Sequence, residues 1–163
     1  MREIILLAHN IRSTHNVGAF LRTADGFGVS KVIFSGYTPY PTLETDTRLP
    51  HFADKITRQI HKTALGAETM VPFERHDEPP LAELKTQGFI VVGLEQDTRS
   101  VMLPDYKVPD KVALLLGNEI DGIYPEYRDQ CDTLVEIPMR GDKESFNVSV
   151  ATGIALYHLV SSK

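Results

Sequence analysis

One cysteine, no tryptophan and no long apolar run are the first features of this 163-residue sequence. The single thiol, Cys131, excludes an internal disulfide framework and a cysteine-cluster zinc site. Asp129 and Asp132 beside it disfavour a thiolate, so its expected role is packing. At the start of the chain the apolar run from Ile4 to Ala8 stops at His9-Asn10, too short for a signal-peptide core or a membrane span, and a cytoplasmic protein is expected. No G-x-G-x-x-G follows the first apolar run and no G-x-x-x-x-G-K-[ST] occurs anywhere, which disfavours a Rossmann dinucleotide enzyme and a P-loop NTPase. There is no H-E-x-x-H, and the histidines are scattered, so no catalytic metal is expected. Positive charge is also scarce. A net charge of −5 argues mildly against a protein that lives by sequence-independent phosphate contacts, but does not exclude a local basic patch.

What is present reads as one globular domain over residues 1–163, with ordinary apolar and charged fractions. EIILLA (3–8) reads as a buried strand. A helix follows from Val17, with Phe20, Leu21, Ala24 and Phe27 on one stripe, Asn16 at its N-cap and Gly26 and Gly28 at its end; KVIFSG (31–36) is the next strand. This βαβ unit implies a parallel sheet. Arg22 falls opposite the apolar stripe and points out of the core, while Gly18 allows close approach to the first turn. Further strands are expected at ETMVPF (68–73), FIVVGL (89–94), KVALLLG (111–117) and around Val135–Ile137. Helices are expected at LAELKTQ behind Pro79-Pro80, at Pro125 to Cys131 and from Asn147 to Val160, with Ser145 in the N-cap position of the last. Gly66 is either the cap of a helix ending near residue 65 or part of a tight turn, and Pro104 and Pro109 bracket an irregular linker.

Polar clusters follow three of the apolar strands: Asn10 to Arg22, Gly117-Asn118-Glu119, and Met139 to Asn147. In an open parallel sheet such loops lie along one edge and can converge on one ligand. One stretch is locally basic: Arg48, Lys55, Arg58 and Lys62, with His51 and His61, against Asp54 alone. It reads equally as a solvated face or as a contact for a polyanion such as RNA.

Three of these segments carry a resemblance. The N-x-G-x-x-x-R of Asn16 to Arg22, the L-L-L-G-N-E-x-x-G of Leu114 to Gly122 and the I-P-M-x-G-x-x-x-S-x-N-V-S-V-A of Ile137 to Ala151 resemble the three motifs of the SpoU/TrmH-type RNA ribose methyltransferases of the SPOUT class, in order and at similar separations. The resemblance implies a parallel-sheet α/β fold whose C-terminal segment forms a deep trefoil knot, an exception to the rule against knots. It also implies S-adenosylmethionine bound there in a bent form, and a homodimer packed through the helices at 17–27 and 147–160. By position the cofactor meets Leu94, Gly117, Asn118, Ile137, Met139, Ser145 and Phe146; many relatives have leucine at the last of these. Arg22 matches the family's catalytic arginine, and Asn16, Glu119, Ser145 and Asn147 match the other polar residues of its site. A guanidinium is a poor base but can clamp a phosphate and stabilise oxyanion charge. The chain starts at the first strand, so a member without a separate N-terminal RNA-binding domain is expected, with tRNA preferred to ribosomal RNA as substrate. The alternatives are a relative that binds RNA or cofactor without catalysis, and a SPOUT enzyme that methylates a base.

Overall fold

Continuous apolar runs need burial on both faces, and the sheet supplies it. The computed structural model describes residues 2–162. In chain order the elements are β1 (Glu3–His9), α1 (Thr14–Phe27), β2 (Lys31–Ser35), α2 (Pro50–Ala64), β3 (Phe73–His76), α3 (Leu81–Thr86), β4 (Ile90–Leu94), β5 (Val101–Met102), β6 (Lys111–Leu116), α4 (Pro125–Arg128), β7 (Thr133–Glu136) and α5 (Val148–Ser161). The strands form one sheet in the order β3-β2-β1-β6-β4-β7-β5, with every pairing parallel. β7 thus enters between β4 and β5, both of which precede it in the chain.

Alternate residues of the central strands serve two cores. On one face Ile4, Leu6, Leu114 and Leu116 meet Val17, Phe20, Leu21 and Ala24 of α1, Ile60 of α2 and Leu156 and Leu159 of α5. On the other, Ile5, Leu7, Ala113 and Leu115 meet Leu81 and Leu84 of α3 and Tyr127 of α4. Each fully buried Leu, Ile or Phe contributes about 1.5–3 kcal/mol, so β1 and β6, buried along nearly their whole lengths, anchor the fold. α1 and α2 approach closely at Gly18, where a Cβ would lie 2.3 Å from the Ile60 carbonyl oxygen and 2.9 Å from the Ala64 nitrogen. The close approach expected at that glycine is therefore made by α2.

His9 ends β1 buried, with Nδ1 2.9 Å from Ser35 Oγ and its ring edge-on to Tyr127 at 4.7 Å. Burial lowers its pKa against the pull of Glu78 and Glu126. Cys131 is half-buried and its thiol is pushed up to about 11, mainly by burial.

Several local expectations differ. The 68–73 stretch is not a strand: Ala67–Thr69 form a 3-10 turn and β3 begins at Phe73. The Glu68 carboxylate turns back to accept from the Gly66 N–H (2.9 Å) and to pair with His61, which favours a turn over extended backbone. α2 is capped by Leu65 in the left-handed region (φ 53°), with Gly66 following. The linker before β6 carries β5 and a 3-10 turn, Leu103–Asp105, pinned by buried Leu103. The helix expected over 125–131 is a single turn.

Candidate active site

At the carboxyl ends of the adjacent strands β6, β4 and β7, three loops enclose a cavity of about 480 Å³. A small-molecule site of ~300–1,000 Å³ is typical, so a ligand of nucleoside size fits. All seven positions assigned to cofactor, Leu94, Gly117, Asn118, Ile137, Met139, Ser145 and Phe146, line it. The wall also carries Glu95, Glu119, Asp121, Glu136 and Glu144, and no lysine or arginine. Asp121, Glu136 and Glu144 form no ion pair among the described residues.

The loops are stitched to one another. Glu95 Oε2 accepts from the Ile123 N–H at 2.7 Å, and Gln96 Nε2 donates to the Glu144 carbonyl at 2.7 Å. Residues 118–122 fold into a tight hairpin in which Asn118 and Gly122 exchange backbone hydrogen bonds of 3.0 and 2.9 Å. Asn118 Oδ1 caps its turn by accepting from Ile120 and Asp121 N–H. Gly117 is required here: a Cβ would sit 2.1 Å from the Gly122 carbonyl carbon and 2.2 Å from the Ile123 nitrogen, backbone atoms that cannot swing aside.

Glu119 joins the cavity to the start of α1. Its carboxylate accepts from the N–H groups of Arg12 (3.0 Å) and Ser13 (3.0 Å) and from Asn16 Nδ2 (3.1 Å). Burial would raise its pKa, but these donors outweigh it and hold the carboxyl below the ordinary glutamate range. Two helix caps differ from expectation because of such local bonds. Ser13, not Asn16, is the N-cap of α1, its hydroxyl accepting from the Asn16 N–H, which frees the Asn16 side chain for Glu119. Asn147, not Ser145, caps α5, its Oδ1 accepting from the Ser149 N–H at 2.9 Å. The Asn147 amide oxygen is thereby committed, while its NH₂ and the Ser145 hydroxyl have no partner among the described residues.

Glu119, Ser145 and Asn147 line the cavity, and Asn16 reaches it through Glu119. Arg22 does not join them. It is exposed on α1, about 9 Å further along the helix than Asn16 by rise per residue, and its guanidinium forms no hydrogen bond or ion pair among the described residues.

The basic segment divides. Arg48 is a structural residue, bound to Asp46 at 2.6 Å, donating to the Tyr40 and Pro41 carbonyls and stacked 3.6 Å from the Tyr40 ring centroid. Its bond to Asp46 is the leading cause holding that carboxyl far below its usual range. Arg58 pairs with Asp54 one turn away, while Lys55 and Lys62 form no ion pair among the described residues. The sequence reading missed the lining residues Glu95 and Gln96, which follow β4, and Glu136, the last residue of β7; the strand-end rule applied to β4 would have found the first two.

A profile of the SpoU rRNA Methylase family matches residues 3–157. The chain is 33% identical over 164 residues to the 23S rRNA (guanosine-2'-O-)-methyltransferase RlmB of Xanthomonas campestris pv. campestris, covering 99% of this chain and 60% of that protein. It is 32% identical over 158 residues to the tRNA (guanosine(18)-2'-O)-methyltransferase of Aquifex aeolicus, covering 96% and 68%. The AdoMet-bound rRNA methyltransferase of Sinorhizobium meliloti superposes with a TM-score of 0.77 at 26% identity, over 96% of this chain and 55% of that one. The chain thus spans about 60% of the length of the RlmB relatives it matches. With the family profile running through nearly every element that builds the cavity, this chain belongs to the SpoU rRNA methylase family.

Proposed function

We propose that the protein is an S-adenosylmethionine-dependent RNA ribose 2′-O-methyltransferase, with tRNA as the expected substrate. The observation that carries this reading is the convergence of all seven expected cofactor positions on one cavity of suitable size. Its excess of carboxylates suits a ligand bearing a sulfonium and an ammonium group. Held by these cavity residues, S-adenosylmethionine would supply an electrophilic methyl for a ribose 2′-hydroxyl, whose proton would pass to solvent.

The protein residues position the reactants. Glu119 holds Asn16 and the start of α1 against the cavity, while Ser145 and the Asn147 NH₂ are free to donate to the ribose. Arg22 clamps the adjacent phosphate and stabilises charge on the attacking oxygen. Because it stands off the cavity of its own chain, we assign it to the site of a second copy. A homodimer through α1 and α5 is supported by α5, which leaves Val150 and Tyr157 51% and 62% exposed, with Ile154 and Val160 beside them. A knot is supported by the entry of β7 between two earlier strands. Lys55, Lys62 and Arg58 then remain as outlying RNA contacts, and the work is cytoplasmic, where tRNA is found. No described helix is long and apolar enough to cross a membrane.

The test is nucleoside mass spectrometry on tRNA and ribosomal RNA, purified separately from a deletion strain and its parent. One 2′-O-methylated nucleoside should disappear and return with the wild-type gene. Unchanged ribose methylation in both pools would sink the reading.

A further inference from the structure

Behind the cavity wall lies a second concavity, a groove of about 580 Å³ between the start of α1, the loop after β2 and α2. Its lining includes Arg12, Arg48 and Arg75 and no aspartate or glutamate, in a chain of net charge −5. Arg12 is exposed and its guanidinium has no partner among the described residues. Arg75 donates to the Gly36 carbonyl at 3.2 Å and pairs with Asp77 outside the groove, while its Nε is buried without a partner. The N-terminal end of α1 opens here at Ser13 and Thr14, its dipole already met from the cavity side by the Glu119 carboxylate.

Aromatic rings accompany these charges. The Tyr40 face is already covered by Arg48, but Tyr37 and Phe52 are 56% and 48% exposed. Exposed ring faces can serve as platforms for nucleobases, as arginines can for phosphates. The groove is wired directly to the cavity wall. Asn118 Nδ2 donates to the Tyr37 hydroxyl at 2.7 Å, and the backbone of Arg12 and Ser13 binds Glu119.

We infer that this groove binds a single-stranded stretch of the RNA substrate next to the nucleotide being methylated, with bases stacked on Tyr37 and Phe52 and phosphates held by Arg12 and Arg75. The inference rests on the ribose-methyltransferase reading for the identity of the ligand as RNA. Stacking on ring faces is sequence-tolerant, so the groove supplies grip and direction, not base identity. Arg48 and Arg75 are already paired with Asp46 and Asp77, so Arg12 is the groove's uncompensated cation and the main source of its attraction for a polyanion.

The test uses the full chain, a fluorescein-labelled mixed-sequence 20-mer oligoribonucleotide and bulk tRNA, with affinity read by anisotropy across a salt series. Arg12→Ala and Phe52→Ala should each weaken binding of both probes about tenfold, and Arg12→Ala should lower the salt slope by about one charge contact. Calorimetry with S-adenosylmethionine should give the wild-type affinity in both variants. Wild-type RNA affinity in both variants overturns the proposal. Loss of RNA binding that follows loss of the dimer in light scattering also overturns it, by assigning the groove to a subunit contact. Failure of wild-type protein to bind S-adenosylmethionine would sink the methyltransferase reading instead, while the RNA titrations would still decide the groove.

Discussion

Two concavities share one wall and are lined by ionisable residues of opposite sign. The cavity at the ends of β4, β6 and β7 is lined by five acidic residues and no lysine or arginine, whereas the groove beside α2 is lined by three arginines and no acid. The wall between them is thin: Asn118 and Glu119 on one side hydrogen-bond to Tyr37, Arg12 and Ser13 on the other. At physiological salt the screening length is about 8 Å, so a bound group responds to the charges nearest it, those of the shared wall included, and hardly to the total charge. Net charge is therefore a poor guide to ligands here. A chain of −5 can present an acidic cavity and an arginine-lined groove side by side.

Arg22 belongs to neither concavity of its own chain, and replacing it should have the largest effect. Arg22→Ala is expected to lower methyl transfer about a hundredfold while S-adenosylmethionine binding, read by calorimetry, and melting temperature stay near wild type. Arg22→Lys should recover little, because an ammonium lacks the planar fork. Retention of more than about a tenth of wild-type turnover would limit its contribution to roughly 1.4 kcal/mol and remove it from the chemistry.

Gly117→Ala should break the acidic cavity alone. Its added methyl meets the Gly122 and Ile123 backbone, so the hairpin must open, at a cost of about 1–3 kcal/mol typical of overpacking. Cofactor affinity should fall more than tenfold and oligoribonucleotide affinity less than threefold. If Arg22 serves a partner's site, mixing Gly117→Ala with Arg22→Ala should restore activity that neither has alone.

Glu119→Gln should loosen the shared wall in a pH-dependent way. The folded Glu119 carboxyl lies below its ordinary value, so its stabilisation is complete above about pH 4.3 and is lost as pH falls through the folded value. The melting-temperature difference between wild type and Glu119→Gln, measured from pH 7 to pH 3, should therefore be largest at neutral pH and shrink on acidification. A constant difference would show that the charge does not hold the wall. Tyr37→Phe is the mildest change. It removes one hydrogen bond from Asn118, whose Nδ2 keeps the Asn10 carbonyl at 2.8 Å, so cofactor affinity should fall less than about fivefold and RNA affinity should hold, the ring face being intact.

Much of this molecule was legible in its sequence, for identifiable reasons. Strands buried on both faces must be apolar throughout, so β1, β4 and β6 appear as unbroken runs, and the α1 stripe repeats at helical spacing because one face meets the core. The loops at the strand ends were visible as polar interruptions, and their convergence follows from parallel strands sharing one edge. What tertiary structure decided is which of the competing local bonds form. Ser13 and Asn147 took the caps, since Asn16 is held by Glu119, 103 residues away, while Ser145 lies in the loop before α5. Arg48 looked like a free cation and is neutralised by Asp46 two residues before it, in a loop folded so that the Tyr40 ring covers the guanidinium. The basic groove was invisible because Arg12, Tyr37, Phe52 and Arg75 come from four separate segments with no common period. Only the packing of α2 against α1 at Gly18 and the pairing of β3 with β2 bring them to one surface.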